Sequence, residues 1–299
     1  MERLIRQRLA EDVELNSMLA RFGNDPAIFY GKAPADVDSW EISYPMIILQ
    51  ADKFSDAQHG VAGLLTVDII CSAMSTQPEP LEKFVRRLLE GVFFQSDEVF
   101  FLRWNKSDAF QEQTAERTAL IAGITMTFEI RELPKGETAT PDPIQSLNEF
   151  FAQWDANLVV IGLTDFGEIF VPSRESPALW ISPQKLSMSR QMYETAFVEA
   201  IINFHVFAPG VQIRREWLTA IYHTLAFAKA IPLTDKSPLR LLNCELDFGS
   251  DEIQGQLKTT WEFGIFKRVN YAHPLNHFET EHHREPLRQY GKYLERKRR

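Results

Sequence analysis

Thr127-Phe128-Glu129-Ile130 and Thr260-Trp261-Glu262-Phe263 carry the same alternation of polar and large apolar side chains, 133 residues apart. Such alternation marks a strand with one face in a core. The same shift brings Phe84 onto Trp217, Val85 onto Leu218 and Leu88 onto Ile221, inside two stretches whose apolar residues have helical spacing. It also brings Met46-Ile47-Ile48 onto Leu179-Trp180-Ile181. Chance can supply one match, but helix, strand and offset agreeing together point to an internal duplication.

Outward from these anchors, each half has the same order of elements. In the first, residues 2–20 read as a helix with Ile5, Leu9, Val13, Leu15 and Leu19 on one stripe, stopped by Phe22–Pro26. Strands are expected at Ala27–Tyr30, Tyr44–Gln50 and Val61–Ala73, with a polar turn over 52–60. Pro78 and Pro80 introduce a helix at Leu81–Leu89, and strands at Val99–Trp104 and Ala119–Arg131 close the half. The second half repeats this: a helix from Ile144 to Trp154, strands at 157–164, 178–182 and 196–207, a helix over 214–227, and strands at Leu239–Phe248 and Gln256–Arg268. The expected fold class is α+β, in two tandem repeats, each an antiparallel or mixed sheet with helices packed on one face. Domain boundaries are expected at 1–134 and 144–269, with a Gly- and Pro-containing linker at 135–143 and a C-terminal arm at 270–299. Leu64–Cys71 and Ala200–Phe207 are too continuously apolar for strands facing water on one side. They read as central strands or as strands covered by a neighbouring subunit.

Composition bounds the function. No apolar run reaches the roughly 18 residues that a membrane helix needs, and the start Met1-Glu2-Arg3-Leu4-Ile5-Arg6 mixes both charge signs, so no membrane partner is expected. Cys71 and Cys244 alone imply no disulfide framework. Residues 281–299 hold seven basic side chains against three acidic ones, so the net charge of −9 becomes −13 over residues 1–280. An acidic body disfavours duplex nucleic acid along the main surface. The basic arm, in which Tyr290 and Tyr293 alternate with Arg288, Lys292, Arg296 and Lys297, suits an acidic cleft on a neighbouring subunit. Contact with DNA in a lumen is the alternative for that arm.

The catalytic patterns are missing from the sequence. Gly31-Lys32-Ala33 lacks the earlier glycine and the hydroxyl residue of a phosphate loop. Asp165-Phe166-Gly167 and Asp247-Phe248-Gly249 have no His-Arg-Asp catalytic loop to serve, and read as turns. His273, His277, His282 and His283, with Glu279 and Glu281, are the one grouping with metal-ligand residue types, but Pro274 and Pro286 interrupt it. No catalytic, cofactor-binding or metal-binding residue is therefore assigned, and no cofactor is expected. Phe93-Phe94 and Phe100-Phe101 lack the interleaved basic residues of a stacking platform and read as core or subunit packing. His205 and His223 read as packed or surface residues, and His59 as a turn residue.

The opening amphipathic helix, the Tyr44-Pro45-Met46-Ile47-Ile48-Leu49 strand, the polar turn Asp52–Gly60 and the Thr66-Val67-Asp68-Ile69-Ile70-Cys71 strand form a familiar series. With the Leu81–Leu89 helix and the closing strand Ala122–Arg131, it resembles the phage tail terminator (tail completion) family over residues 1–132, and more faintly over 144–268. The likeness lies in order and spacing. It implies a non-enzymatic virion protein, assembled in the host cytoplasm, that forms a ring on the head-proximal end of a tail tube and joins it to the neck or connector proteins. Two copies per chain depart from the family and leave rings of three or six chains open. Phe84 and Trp217, on equivalent helices, are the expected interface residues of the two halves, together with Arg288, Tyr290, Lys292, Tyr293, Arg296 and Lys297 of the arm. The alternative is a cytoplasmic module that binds a small ligand or peptide on a concave sheet, without catalysis.

Overall fold

The computed structural model describes residues 1–34, 43–58, 61–74, 77–96, 98–113, 120–136, 141–228 and 230–266. The first unit opens with α1 (Glu2–Ala10), α2 (Val13–Met18), the short pair β1 (Arg21–Phe22) and β2 (Asp25–Pro26), and then β3 (Ile28–Tyr30). β4 (Met46–Gln58), β5 (Val61–Ser72), α3 (Glu79–Leu89), β6 (Phe93–Gln95), β7 (Val99–Gln113) and β8 (Leu120–Leu133) complete it. The second unit has α4 (Pro143–Trp154), β9 (Val159–Val160), β10 (Ile169–Phe170), β11 (Ala178–Gln191) and β12 (Thr195–Phe207). It ends with α5 (Val211–Phe227), β13 (Ile231–Pro232), β14 (Pro238–Leu246) and β15 (Leu257–Phe266).

The two sheets have one topology. The first runs β6-β7-β8-β5-β4-β3 and the second β13-β14-β15-β12-β11-β9; β10 is added to the first sheet, beside β6. In each, the outer strand pairs in parallel (β3 with β4, β9 with β11) and the other strands pair antiparallel. The fold is α+β in two repeats. One face of each sheet meets the helices: Ile47, Leu65, Val67, Ile69 and Phe128 pack on α1, α2 and α3, and Leu179, Ile202, Phe204 and Trp261 on α4 and α5.

The repeat holds where side chains fill the same place. Phe128 and Trp261 are both fully buried, and Val85 and Leu88 of α3 are buried like Leu218 and Ile221 of α5. The offset is not constant, however. Aligning Met46-Ile47-Ile48 with Leu179-Trp180-Ile181 sets the core residue Ile47 against Trp180, which lies on the opposite face of its sheet, while Leu179 and Ile181 face the core. A one-residue slip in a strand reverses every side chain, so this match is out of register.

Several expected boundaries move for physical reasons. The helix expected over 2–20 breaks after Ala10, because the Asp12 side chain accepts the Leu15 N–H at 2.8 Å and starts a new helix. Val13 is thereby turned outward and is 81% exposed. The turn expected over 52–60 is instead strand as far as Gln58, and β7 and β11 likewise run past the apolar stretches that signalled them, to Gln113 and Gln191. A strand already paired to an ordered neighbour needs no apolar face to continue. The strand expected over 157–164 keeps only Val159–Val160, because Gly162 at φ +93° turns the chain and the Val160 N–H is bonded by Thr164 Oγ1 at 3.1 Å.

β5 and β12, the continuously apolar strands, are central, with β8 and β4 or β15 and β11 on either side. Their backbone edges are satisfied within the chain, which is the central-strand arrangement of the two expected from the sequence. The outer strands are short, and β7, β11 and β14 carry register shifts at Trp104/Lys106, Pro183/Lys185 and Leu241/Asn243. Bulges of this kind blunt the exposed edge of a sheet. Phe128→Ala and Trp261→Ala, at the centres of the two cores, are each expected to cost about 3–5 kcal/mol, measured by equilibrium denaturation.

Candidate assembly surface

Successive strand residues face opposite ways, and this splits both phenylalanine pairs. Phe94 and Phe100 stack in the first core with centroids 5.2 Å apart. Phe93 and Phe101 point to the other face of the sheet, where a separate cluster joins the two units. Phe207, from the end of β12, wedges against both: its ring lies 5.0 Å from Phe93 and 5.2 Å from Phe101, each edge to face. Aromatic pairs of this geometry contribute about 0.5–1.5 kcal/mol each beyond their buried area. Leu133 from the first unit and Val159, Ile161 and Ala178 from the second complete the seam.

Backbone pairing and charge reinforce it. Phe170 and Ile169 of β10 pair with Phe93 and Phe94 of β6, and the Gln95 N–H donates to the Glu168 carbonyl at 2.9 Å. The Arg103 guanidinium meets Asp251 at 3.2 Å, and Arg3 meets Glu168. The Trp180 indole N–H donates to the Pro134 carbonyl at 3.3 Å, holding the start of the linker on the second sheet. Exposed ion pairs add little, so the apolar wedge carries most of the seam's free energy.

The β14–β15 loop is keyed into this seam by His205, which is 2% exposed. Its Nδ1 lies 2.9 Å from the Glu252 carbonyl and its Nε2 2.9 Å from Ser182 Oγ, and the ring packs on Trp180 with centroids 4.4 Å apart. A carbonyl only accepts, so Nδ1 carries the proton and Ser182 donates to Nε2. Burial pushes the imidazole down to about 4, against the opposing hydrogen bond to Glu252 and the charge of Asp251. The same loop is held by Arg214 on the Glu252 carboxylate and by Gln256, whose side chain bonds both Val206 backbone groups at 3.0 and 3.2 Å. A Ser–His contact invites a catalytic reading, but this imidazole is sealed from solvent and both its nitrogens are engaged.

Phe84 is half-buried against the first core under the Arg87 guanidinium, and Trp217 is half-buried against the second. Trp217 also donates to the Arg174 carbonyl at 3.3 Å and packs edge to face on Trp154. Both side chains therefore spend much of their surface within their own unit, and the structure does not bring them together. Arg288, Tyr290, Lys292, Tyr293, Arg296 and Lys297, and the histidine group from His273 to His283, lie outside the described residues. Among the described residues, no group of three or more His, Cys, Asp or Glu side chains is placed to hold a metal ion. No helix among them is long and apolar enough to cross a membrane. Cys71 and Cys244 sit in different cores, each thiol pushed up to about 11 by burial.

Two open clefts flank the seam. One, of about 580 Å³, has Arg86, Arg87 and Arg214 in its wall; the other, of about 530 Å³, lies between Gln95, Leu133 and Gly162. The arginines of the first are already matched, Arg86 to Glu90 at 2.7 Å, Arg87 to Glu14 at 3.1 Å and Arg214 to Glu252. No protein-family model matches this chain, and neither the curated proteins nor the solved structures give a significant match.

The seam is not legible in the sequence because its residues are far apart in the chain, although the doubled phenylalanines signal apolar residues on both faces of one strand. Phe207→Ala is expected to destabilise the protein by about 3–5 kcal/mol and to separate thermal unfolding into two transitions by calorimetry. His205 gives a pH dependence with a definite sign. Its folded-state value of about 4 lies below the ordinary 6.5, so its contribution is complete above about pH 6.5 and is lost as pH falls towards 4. The loss amounts to about 3 kcal/mol at most, and His205→Gln is expected to flatten this acid limb in melts between pH 4 and 8.

Proposed function

We propose that this chain is a non-catalytic structural protein of a phage tail, a terminator ring that caps the tail tube and joins it to the neck. One observation supports this most: two units of identical topology meet through different surfaces, the β6–β7 side of the first against the β9–β11–β12 corner of the second. Such a heterologous contact between equivalent units is the kind from which rings are built. The order and spacing of elements that resemble tail terminators add to it. Self-association into three- or six-chain rings, contacts with tail-tube and connector proteins, and location in the virion after assembly in the host cytoplasm belong to this reading, as does the basic arm, contacting a neighbouring subunit or DNA in the lumen.

The flanking clefts are the observation that favours the alternative, a cytoplasmic module holding a small ligand or peptide. Solution mass with negative-stain images, with and without tail-tube protein, separates the two. Rings with a central hole, or capture on tube ends, are expected. A chain that stays at 34.5 kDa at high concentration and ignores the tube, yet is thermally stabilised by a metabolite, would sink the ring reading.

A further inference from the structure

The cleft of about 580 Å³ beside the seam is walled by both units. α3 supplies Lys83, Arg86 and Arg87, which lie three and four residues apart and so share a face of the helix. The turn from β12 into α5 supplies Pro209, Gly210 and Arg214, and Val171 follows β10 at the edge. All of this wall belongs to the described residues. It holds four basic side chains against two acidic ones, Glu90 and Glu252, on a body whose residues 1–280 carry a net charge of −13. The cleft is a local reversal of the protein's charge.

The ion pairs within this wall leave donors over. Arg86 bonds Glu90 through Nε at 2.7 Å and stacks on the Trp104 ring, Arg87 meets Glu14 through Nη2 at 3.1 Å, and Arg214 meets Glu252 through Nη1. A guanidinium has further N–H groups besides the one that each spends here. The Nε of Arg214 is buried and has no acceptor among the described residues, a state that costs free energy. Lys83 is exposed and has no ion-pair partner among them. Beside Arg214, α5 begins at Gly210 with no side-chain cap and no acidic residue in its first turn, so its positive end is unmatched as well. Val171, 48% exposed, adds an apolar rim.

We propose that this cleft binds an extended acidic peptide segment of a partner protein, with its carboxylates against Lys83, Arg86 and Arg214 and an apolar side chain against Val171. The cations are spread over two helices, with two carboxylates in the same wall. Acidic side chains on separate residues of a peptide can each meet one cation and avoid the glutamates, whereas a phosphate concentrates its charge at one point. Nucleic acid is disfavoured because the aromatic ring in the wall, Phe207, is spent on Phe93 and Phe101, which leaves no platform for a base. The chain's own basic arm has the wrong sign for the site. The inference does not rest on the ring reading; it gives the chain a partner-binding site in either role, as a ring or as a separate module.

The test uses full-length protein and a short fluorescein-labelled peptide of alternating glutamate and leucine, with binding followed by fluorescence anisotropy. Lys83→Glu and Val171→Asp change exposed side chains, and Lys185→Glu makes the same charge change on the exposed part of β11, outside the cleft. Circular dichroism serves as the folding control. Saturable binding to the wild type is expected, weakening as salt is raised. Lys83→Glu and Val171→Asp are each expected to weaken it at least several-fold, and Lys185→Glu to leave it nearly unchanged. Folded wild-type protein that does not bind the peptide would overturn the site. An equal loss in Lys185→Glu and Lys83→Glu would overturn it too, as a general charge effect, and so would displacement of the peptide by a single-stranded oligonucleotide as readily as by unlabelled peptide. Ring formation is read separately, from solution mass, and none of these outcomes decides it.

Discussion

The packing of Phe207 between Phe93 and Phe101 is the contact on which the arrangement of the two units depends. Each unit covers one face of its sheet with its own helices, and each leaves an apolar corner on the other face. Water makes an uncovered apolar corner costly, at about 25 cal/mol for each Å². The chain solves the problem twice in different ways. In the second unit the corner is closed by the first unit's β6 and β7, and in the first unit Ala20 and, from β1, Phe22 pack against it. One solution makes a two-unit body and the other makes an end to it.

The β14–β15 loop makes that body a definite one. His205, Arg214 and Gln256 hold it from the second unit, while Arg103 reaches Asp251 from the first. An imidazole buried with both nitrogens bonded is a directional constraint, which an apolar side chain of equal size would not supply. Gly255, at φ +87°, fits here because a Cβ would come within 3.3 Å of the His205 ring and 3.0 Å of Asn203. The loop therefore follows the ring, and the position of Asp251 follows the loop.

Long hairpins project beyond the helix-covered part of both sheets. On β11, Leu186 and Met188 are exposed, as are Met192 and Tyr193 in the turn to β12. Their strand edge is bulged at two places, Pro183/Lys185 and Met188/Arg190. Bulged edges resist open-ended strand addition. At the seam the two units meet by packed side-chain faces together with the short β10–β6 pairing.

The α+β class, the duplication and the order of elements were legible in the sequence, because periodicity and turn residues are local signals and the two copies reinforced one another. Phe128 and Trp261, or Val85 and Leu218, could be paired by their place in a pattern before any contact was known. Strand lengths were not legible beyond the apolar stretches, since β4, β7 and β11 continue on backbone pairing with a partner strand. The fault in the Met46–Ile48 alignment had the same origin, for the face of a strand is set by cross-strand register. By itself the sequence determined the order of the main helices and strands, that they recur, and that the body is acidic with a basic arm. Only the tertiary structure decided that Phe93 and Phe101 leave the core for the seam, that Phe207 meets them there, that His205 holds the β14–β15 loop, and that Phe266 is left outside. These depend on how two sheets pack, a relation among residues more than 100 positions apart that no local pattern encodes.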